Sequence, residues 1–377
     1  MSPRLSSGRT SSLRRVAVTG ALAIGALSST GALLATAPSA TAASTQSTVV
    51  SHAHAPAARQ VPSAERTFVK RVDMAKVART AKPAPLPVNV PLAKNQRVDG
   101  PGAARFSVPG AAPRALSPTG KLAARAGAAV STSVDGALWP GANTANPNAQ
   151  IGKLFFDVNP DPNVTDWSWC TGTAVNSENK SLVLTAGHCV WDVGHRRWYT
   201  NAYFVPGYEN GREPFGRWPV RLVSTTWNYF NTGTSADDMA IALVTKNGSG
   251  VALVNKVGGH GIAFNQPVNQ FRTSFGYPIT DWRWPGWTSD GQDMYYCQGT
   301  DSYFSSGSFA GQMLLGCRMT GGASGGPWLT NVQWNWLGHA QSVNSNKGGI
   351  GAAWAGLMFG PYMGAQESAV FQSYRNS

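Results

Sequence analysis

Leu182-Val183-Leu184-Thr185-Ala186-Gly187-His188-Cys189 is an apolar run that ends on a glycine and then a histidine. Aliphatic and β-branched residues favour a strand, and glycine permits the tight turn that ends it. An imidazole there is held rigidly at the edge of a cleft. Further along, Asp237-Asp238 open a second apolar run, Met239-Ala240-Ile241-Ala242-Leu243-Val244. A carboxylate at the start of a buried strand can be sheltered from water. A third stretch, Thr320-Gly321-Gly322-Ala323-Ser324-Gly325-Gly326-Pro327-Trp328, surrounds one serine with glycines. Such a backbone can turn its N–H groups toward a developing oxyanion while the hydroxyl stays exposed.

Around these three stretches lie short apolar segments separated by Gly, Pro, Asn and Asp. They cover residues 153–158, 173–175, 182–185, 220–225, 239–245, 271–275, 313–317, 336–344 and 352–358. Many are β-branched or aromatic, and no helices alternate with them. The pattern predicts an all-β barrel or sandwich rather than a parallel sheet. A domain of about 240 residues is large for one barrel and suits two. Residues 365–374 read as a closing helix.

Charge divides the 377-residue chain. Lys and Arg number 31 and Asp and Glu 18, a net charge of +13. Residues 1–135 hold 17 basic and 4 acidic residues, so the whole excess lies there. All 14 Trp lie at or after Trp139. The part able to fold around a core is therefore neutral, which argues against a nucleic-acid partner.

The N-terminus carries Arg4, Arg9, Arg14 and Arg15, then a small and apolar run over residues 16–37, then Ala40-Thr41-Ala42. That order predicts a secretory signal peptide over residues 1–42. Gly20, Gly25 and Gly31 interrupt the run and weaken it as a membrane span. Arg14-Arg15 has a poor twin-arginine continuation, so the general secretory route is preferred. Residues 43–138 are rich in Ala, Pro, Val and Arg, with Phe68 and Phe106 the sole aromatics. They show no sustained period. Two readings stand, a disordered linker and a propeptide removed after export, and the propeptide is preferred. A short helix is possible over residues 65–78. The folded domain would then span residues 139–377.

Four cysteines, Cys170, Cys189, Cys297 and Cys317, all lie in the neutral region. An even number in an exported chain points to disulfides, and three pairings exist. Local pairing would close two loops of about 20 residues, each worth on the order of 3 kcal/mol. No C-x-x-C pair occurs, so zinc is a poor fit. No metal and no cofactor are expected.

A serine hydroxyl is a weak nucleophile. It needs a base to take its proton, and the base needs a carboxylate to fix its tautomer. His188, Asp238 and Ser324 supply the three parts in that order, far enough apart to require assembly from two halves of the domain. An α/β-hydrolase would need an acid and then a histidine after the serine. Here Glu367 follows His339, which is the wrong order. A non-catalytic binding module that keeps the fold is the remaining alternative, and loss of a triad residue would mark it. None is lost.

Thr185-Ala186-Gly187-His188-Cys189 and Gly322-Ala323-Ser324-Gly325-Gly326-Pro327 resemble the His and Ser motifs of the chymotrypsin/trypsin-like serine proteases. Asp238-Met239-Ala240-Ile241 resembles the Asp motif. Gly276-Tyr277-Pro278 and Met319-Thr320-Gly321-Gly322 look like the bacterial glutamyl-endopeptidase-like branch. The resemblance covers roughly residues 150–377 and implies two six-stranded antiparallel barrels with the site between them, followed by the short C-terminal helix. It implies a Cys170–Cys189 disulfide beside the histidine, with Cys297–Cys317 as the second local pair. It also implies an oxyanion hole from the N–H groups of Gly322 and Ser324. The implied partners are polypeptide substrates. The protein is expected to be secreted and extracellular, a monomer, with no membrane contact once the signal is removed.

Two departures stand out. Trypsin-type enzymes carry Asp where this chain has Ala323, so activation by an inserted N-terminus is not expected. Glutamyl endopeptidases carry a pocket His where this chain has Asn344, so glutamate specificity does not carry over. Asn344 and Arg318 are the candidate substrate-binding residues, Arg318 because it could favour acidic side chains. His195 reads as a solvated loop residue, and His260 has no evident partner. Trp282, Trp284 and Trp287 share one loop and read as packing over their own barrel.

Overall fold

The computed structural model describes residues 54–114 and 133–377, apart from residues 88, 95, 97–98, 143, 162, 281–287, 333–336 and 348–355. The expected signal peptide and the three-Trp cluster lie outside the described residues, as does most of the expected segment 352–358. Among the described residues, no helix is long and apolar enough to cross a membrane.

The leader is built of short pieces: β1 (Ala57–Gln60), α1 (Ser63–Val69), α2 (Met74–Thr80), β2 (Lys82–Pro83), β3 (Phe106–Val108) and β4 (Val134–Leu138). The pieces are too short to show a period in sequence, and the four strands gain their hydrogen bonds from strands elsewhere in the chain. The single helix expected over residues 65–78 is two. Asp73 starts the second, accepting from the N–H groups of Ala75 (2.9 Å) and Lys76 (3.3 Å), as an N-cap carboxylate should.

The first barrel contains β5 (Ile151–Asp157), β6 (Trp167–Val175), β7 (Leu182–Thr185), β10 (Thr200–Pro206), β11 (Trp218–Thr225) and β12 (Ala240–Val244). A small hairpin of β8 (Trp191–Asp192) and β9 (Arg197–Trp198) sits between β7 and β10. Pairing runs β10-β5-β6-β7-β12-β11 and closes where β11 meets β10, every pair antiparallel. Both faces of β7 and β12 are buried, so they read as continuous apolar runs rather than alternating ones. Ile151, Val183, Phe204, Val223 and Ile241 are almost fully excluded from water, each worth roughly 1.5–3 kcal/mol. Helix α3 (Trp227–Thr232) leads into the Asp238 turn, and α4 (Leu253–Val257) leads out of the barrel.

The second half contains β13 (Gly261–Phe264), β14 (Phe271–Gly276), β15 (Tyr295–Thr300), β16 (Ser302–Tyr303), β17 (Gln312–Gly316), β18 (Pro327–Thr330), β19 (His339–Val343) and β20 (Leu357–Pro361), then α5 (Ala365–Tyr374). β14, β15, β17, β20, β19 and β18 repeat the strand order of the first barrel, with β19-β18-β14-β15 and β17-β20 as hydrogen-bonded runs. Two links close the gaps. The Cys297–Cys317 disulfide joins β15 to the end of β17. On the other side, Phe359 of β20 bridges Asn346 beyond β19. The leader extends this sheet, β3 pairing with β13 and β4 with β15.

Candidate active site

His188 lies in a one-turn 3-10 segment, Gly187–Cys189, at the end of β7. A Cβ on Gly187 would stand 2.5 Å from Tyr229, 2.9 Å from Asp238 Oδ1 and 2.9 Å from Thr225 Oγ1. The residue before the histidine therefore has no room for a side chain. Behind it, Cys189 is bonded to Cys170 of β6, which fixes the turn to the barrel wall.

Asp238 follows a short turn, Ser235–Asp237, and precedes β12. Its Oδ2 lies 2.8 Å from His188 Nδ1, and its Oδ1 accepts from the His188 backbone N–H at 2.9 Å. The Ser345 hydroxyl also donates to Oδ2, at 2.5 Å. Burial alone would raise this carboxyl. The His188 charge, with hydrogen bonds from His188 and Ser345, holds it below the usual carboxylate range, so it stays ionised. Asp237 points away and accepts from Asn228 Nδ2 at 3.0 Å. Burial is the main force pushing it up, to about 7, with Asn228 opposing and Asp99 adding to the rise.

The serine loop joins Met319 to Pro327. Gly322 has φ +89°, and a Cβ there would lie 2.5 Å from Tyr277 O, so glycine is required on two counts. Ser324 O accepts from the Thr171 N–H of β6 at 2.7 Å. A Cβ on Gly325 would stand 2.9 Å from Ala186 N, so the loop abuts the turn that carries His188. Ser324 Oγ and His188 Nε2 are both buried, each without a hydrogen-bond partner. Unpaired buried polar atoms are costly, and here both belong to the three residues singled out in the sequence.

Asn344 departs from the expected substrate contact. It is fully buried behind the serine loop. Its Oδ1 accepts from Ser274 Oγ and Trp328 Nε1, both at 2.8 Å. Its Nδ2 donates to Phe275 O and Ala323 O, both at 3.0 Å. All four positions of the amide are filled, leaving none for a substrate. Arg318 pairs with Asp135 of β4 at 2.6 Å, so its charge is already matched. Ser345 is the site residue that sequence reading missed. Its signal was a polar Asn344-Ser345-Asn346 run directly after β19, fully buried in the fold.

Cys170, His188 and Cys189 are a group with metal-ligand spacing among the described residues. They do not suit a metal, because the cysteines are bonded to each other and His188 Nδ1 is taken by Asp238. His195 is exposed and pairs with Asp192. His260 is buried, and burial followed by the nearby His339 lowers it to about 3, so it stays neutral.

No family model matches the chain, and no curated protein does. Solved structures do. Protease Anisep from Arthrobacter nicotinovorans is 32% identical over 61% of this chain and 97% of that one, with a TM-score of 0.52. The thermostable serine protease AL20 from an extremophilic microorganism is 32% identical over 60% of this chain and 96% of that one, with a TM-score of 0.51. A Glu endopeptidase is 19% identical over 64% and 97%, with a TM-score of 0.48. The shared fold and identity over nearly the whole of the first two place the chain: it belongs to the bacterial serine proteases of the chymotrypsin-like fold.

Proposed function

We propose that the protein is a secreted serine endopeptidase acting through Ser324, His188 and Asp238. The observation that carries this is the His188–Asp238 pair, joined by two hydrogen bonds, beside a buried serine hydroxyl with no partner of its own. Asp238 holds the Nδ1 proton, so Nε2 is left free to accept the Ser324 proton. The Ser324 oxygen then attacks the scissile carbonyl. The resulting oxyanion is met by the N–H groups of Gly322 and Ser324. His188 returns the proton to the leaving amine, and water repeats the sequence on the acyl-enzyme. Ser345 keeps the Asp238 carboxylate in place and ionised.

Secretion is supported by the arginine-led apolar N-terminus and by two disulfides, which persist in oxidising compartments. Residues 43–138 are proposed as the propeptide. The glutamyl-endopeptidase-like assignment rests on motifs, and with Asn344 occupied internally it carries no glutamate preference.

The test is labelling by a fluorophosphonate probe together with peptide hydrolysis. Ser324→Ala should abolish labelling and lower kcat by on the order of a million-fold. Near-normal turnover by that variant would overturn the assignment, and absence of labelling in the processed parent would favour a non-catalytic binding module.

A further inference from the structure

Residues 82–87, 89 and 90 lie along elements that carry candidate site residues. β2 pairs in parallel with Ser168 and Trp169 of β6, just before the disulfide Cys170. Ser168 Oγ donates to Lys82 O at 2.9 Å. The Ala84 N–H donates to Trp169 O at 2.8 Å, and the Ala84 carbonyl accepts from the Gly322 N–H at 3.1 Å. The Gly322 N–H is one of the two donors assigned above to the oxyanion, so one of those two donors is already engaged by the chain itself. Leu86 packs against the second-barrel cluster that includes Met319, Ala323 and Trp328. Farther on, Val90 exchanges two hydrogen bonds with Ser235: its N–H donates to Ser235 Oγ at 2.9 Å, and its carbonyl accepts from Ser235 N at 2.8 Å. Ser235 begins the turn that carries Asp238.

The composition suits this placement. Lys82-Pro83-Ala84-Pro85-Leu86-Pro87 puts proline at every second position. Each proline fixes φ and has no N–H to leave unsatisfied. Such a segment is extended before it docks and loses little freedom on docking. It offers the cleft the carbonyl of Ala84 and few other polar groups.

We propose that residues 82–90 are a proline-rich peptide ligand of the catalytic cleft, occupying the Gly322 donor and keeping substrate out until the leader is cut away. The same segment, once free, binds the opened cleft in trans as a competitive inhibitor. This rests on the serine protease reading.

The test compares rates of fluorophosphonate labelling in three full-length chains. They are the parent, a variant with residues 82–90 replaced by a Gly-Ser stretch of equal length, and Ala84→Trp. Ala84 is buried, so a large side chain there has no room, and this variant serves if the replacement fails to fold. A latch closed in ~99% of molecules makes labelling of the parent about a hundredfold slower than that of an open variant. A synthetic peptide of residues 79–91 should slow labelling of the open variant. Equal rates in parent and variants would overturn the proposal and leave the protease reading standing. A peptide without effect would overturn the trans-inhibition. Folded variants that do not label at all would overturn the protease reading itself, and the latch with it.

Discussion

Asp237 and Asp238 are neighbours with opposite surroundings. Asp238 faces His188, while Asp237 is pushed up to about 7, chiefly by burial. Asp238→Asn should lower kcat by roughly ten-thousand-fold, because the amide selects the wrong imidazole tautomer. Asp237→Asn should leave kcat nearly unchanged, and the reverse ranking in steady-state assays would contradict the geometry. Asp237 also makes a pH prediction. A carboxyl raised in the fold stabilises it most below about pH 4, the unfolded value. That contribution is lost as pH rises through about 7. The Tm of Asp237→Asn relative to the parent should therefore be more favourable at pH 8 than at pH 5, as calorimetry would show. Asn344→Leu removes the acceptor of Ser274 Oγ and Trp328 Nε1 and a donor to the Phe275 and Ala323 carbonyls, and so loosens the loop carrying the proposed oxyanion donors. Turnover should fall by about a hundredfold or more, with circular dichroism still native. Unchanged turnover would show that the loop holds its shape without the amide. The three catalytic candidates were legible in sequence because glycine and apolar neighbours mark them. Asn344 and Ser345 were not, since their roles depend on partners far along the chain.

The strands of the first barrel were legible where both faces are buried, as in β7 and β12. Others were hidden. β15 carries Gln298 and Gly299, and β18 begins with Pro327, residues that weaken a strand pattern. The closing helix α5 lies at residues 365–374, as its sequence suggested. Its first turn is capped by the leader, Asp99 accepting from Ala365 N at 2.7 Å. The Cys297–Cys317 link stands in for backbone pairing between β15 and β17, and Cys317 lies seven residues before Ser324. Reduction should therefore cost activity before it costs the first barrel's fold. Labelling rate and near-UV dichroism followed during titration with a thiol would check this, and loss of both together would argue against it.

Across the whole molecule, the leader touches both barrels, pairing with β11, β6 and β13 in turn. Composition alone made it resemble a linker, because its order comes from edges supplied by the barrels rather than from its own core. Activation should not require a buried N-terminus. The position that would pair with one is Ala323, fully buried and without charge, and an unpaired ammonium there would cost several kcal/mol. A processed chain beginning just before β4 should keep its activity with or without one extra N-terminal residue. Loss of hydrolysis on adding that residue, with the fold intact, would show that an inserted terminus is needed. The closed first barrel has one more consequence. A protease that takes extended chain must first free that chain from its hydrogen bonds, and a sheet that meets itself offers no loose strand to peel. On the proposed function, the first barrel is therefore a poor substrate for neighbouring copies in solution. Self-digestion at high concentration should spare β5, β6, β7, β10, β11 and β12 and consume the connecting loops and the leader instead.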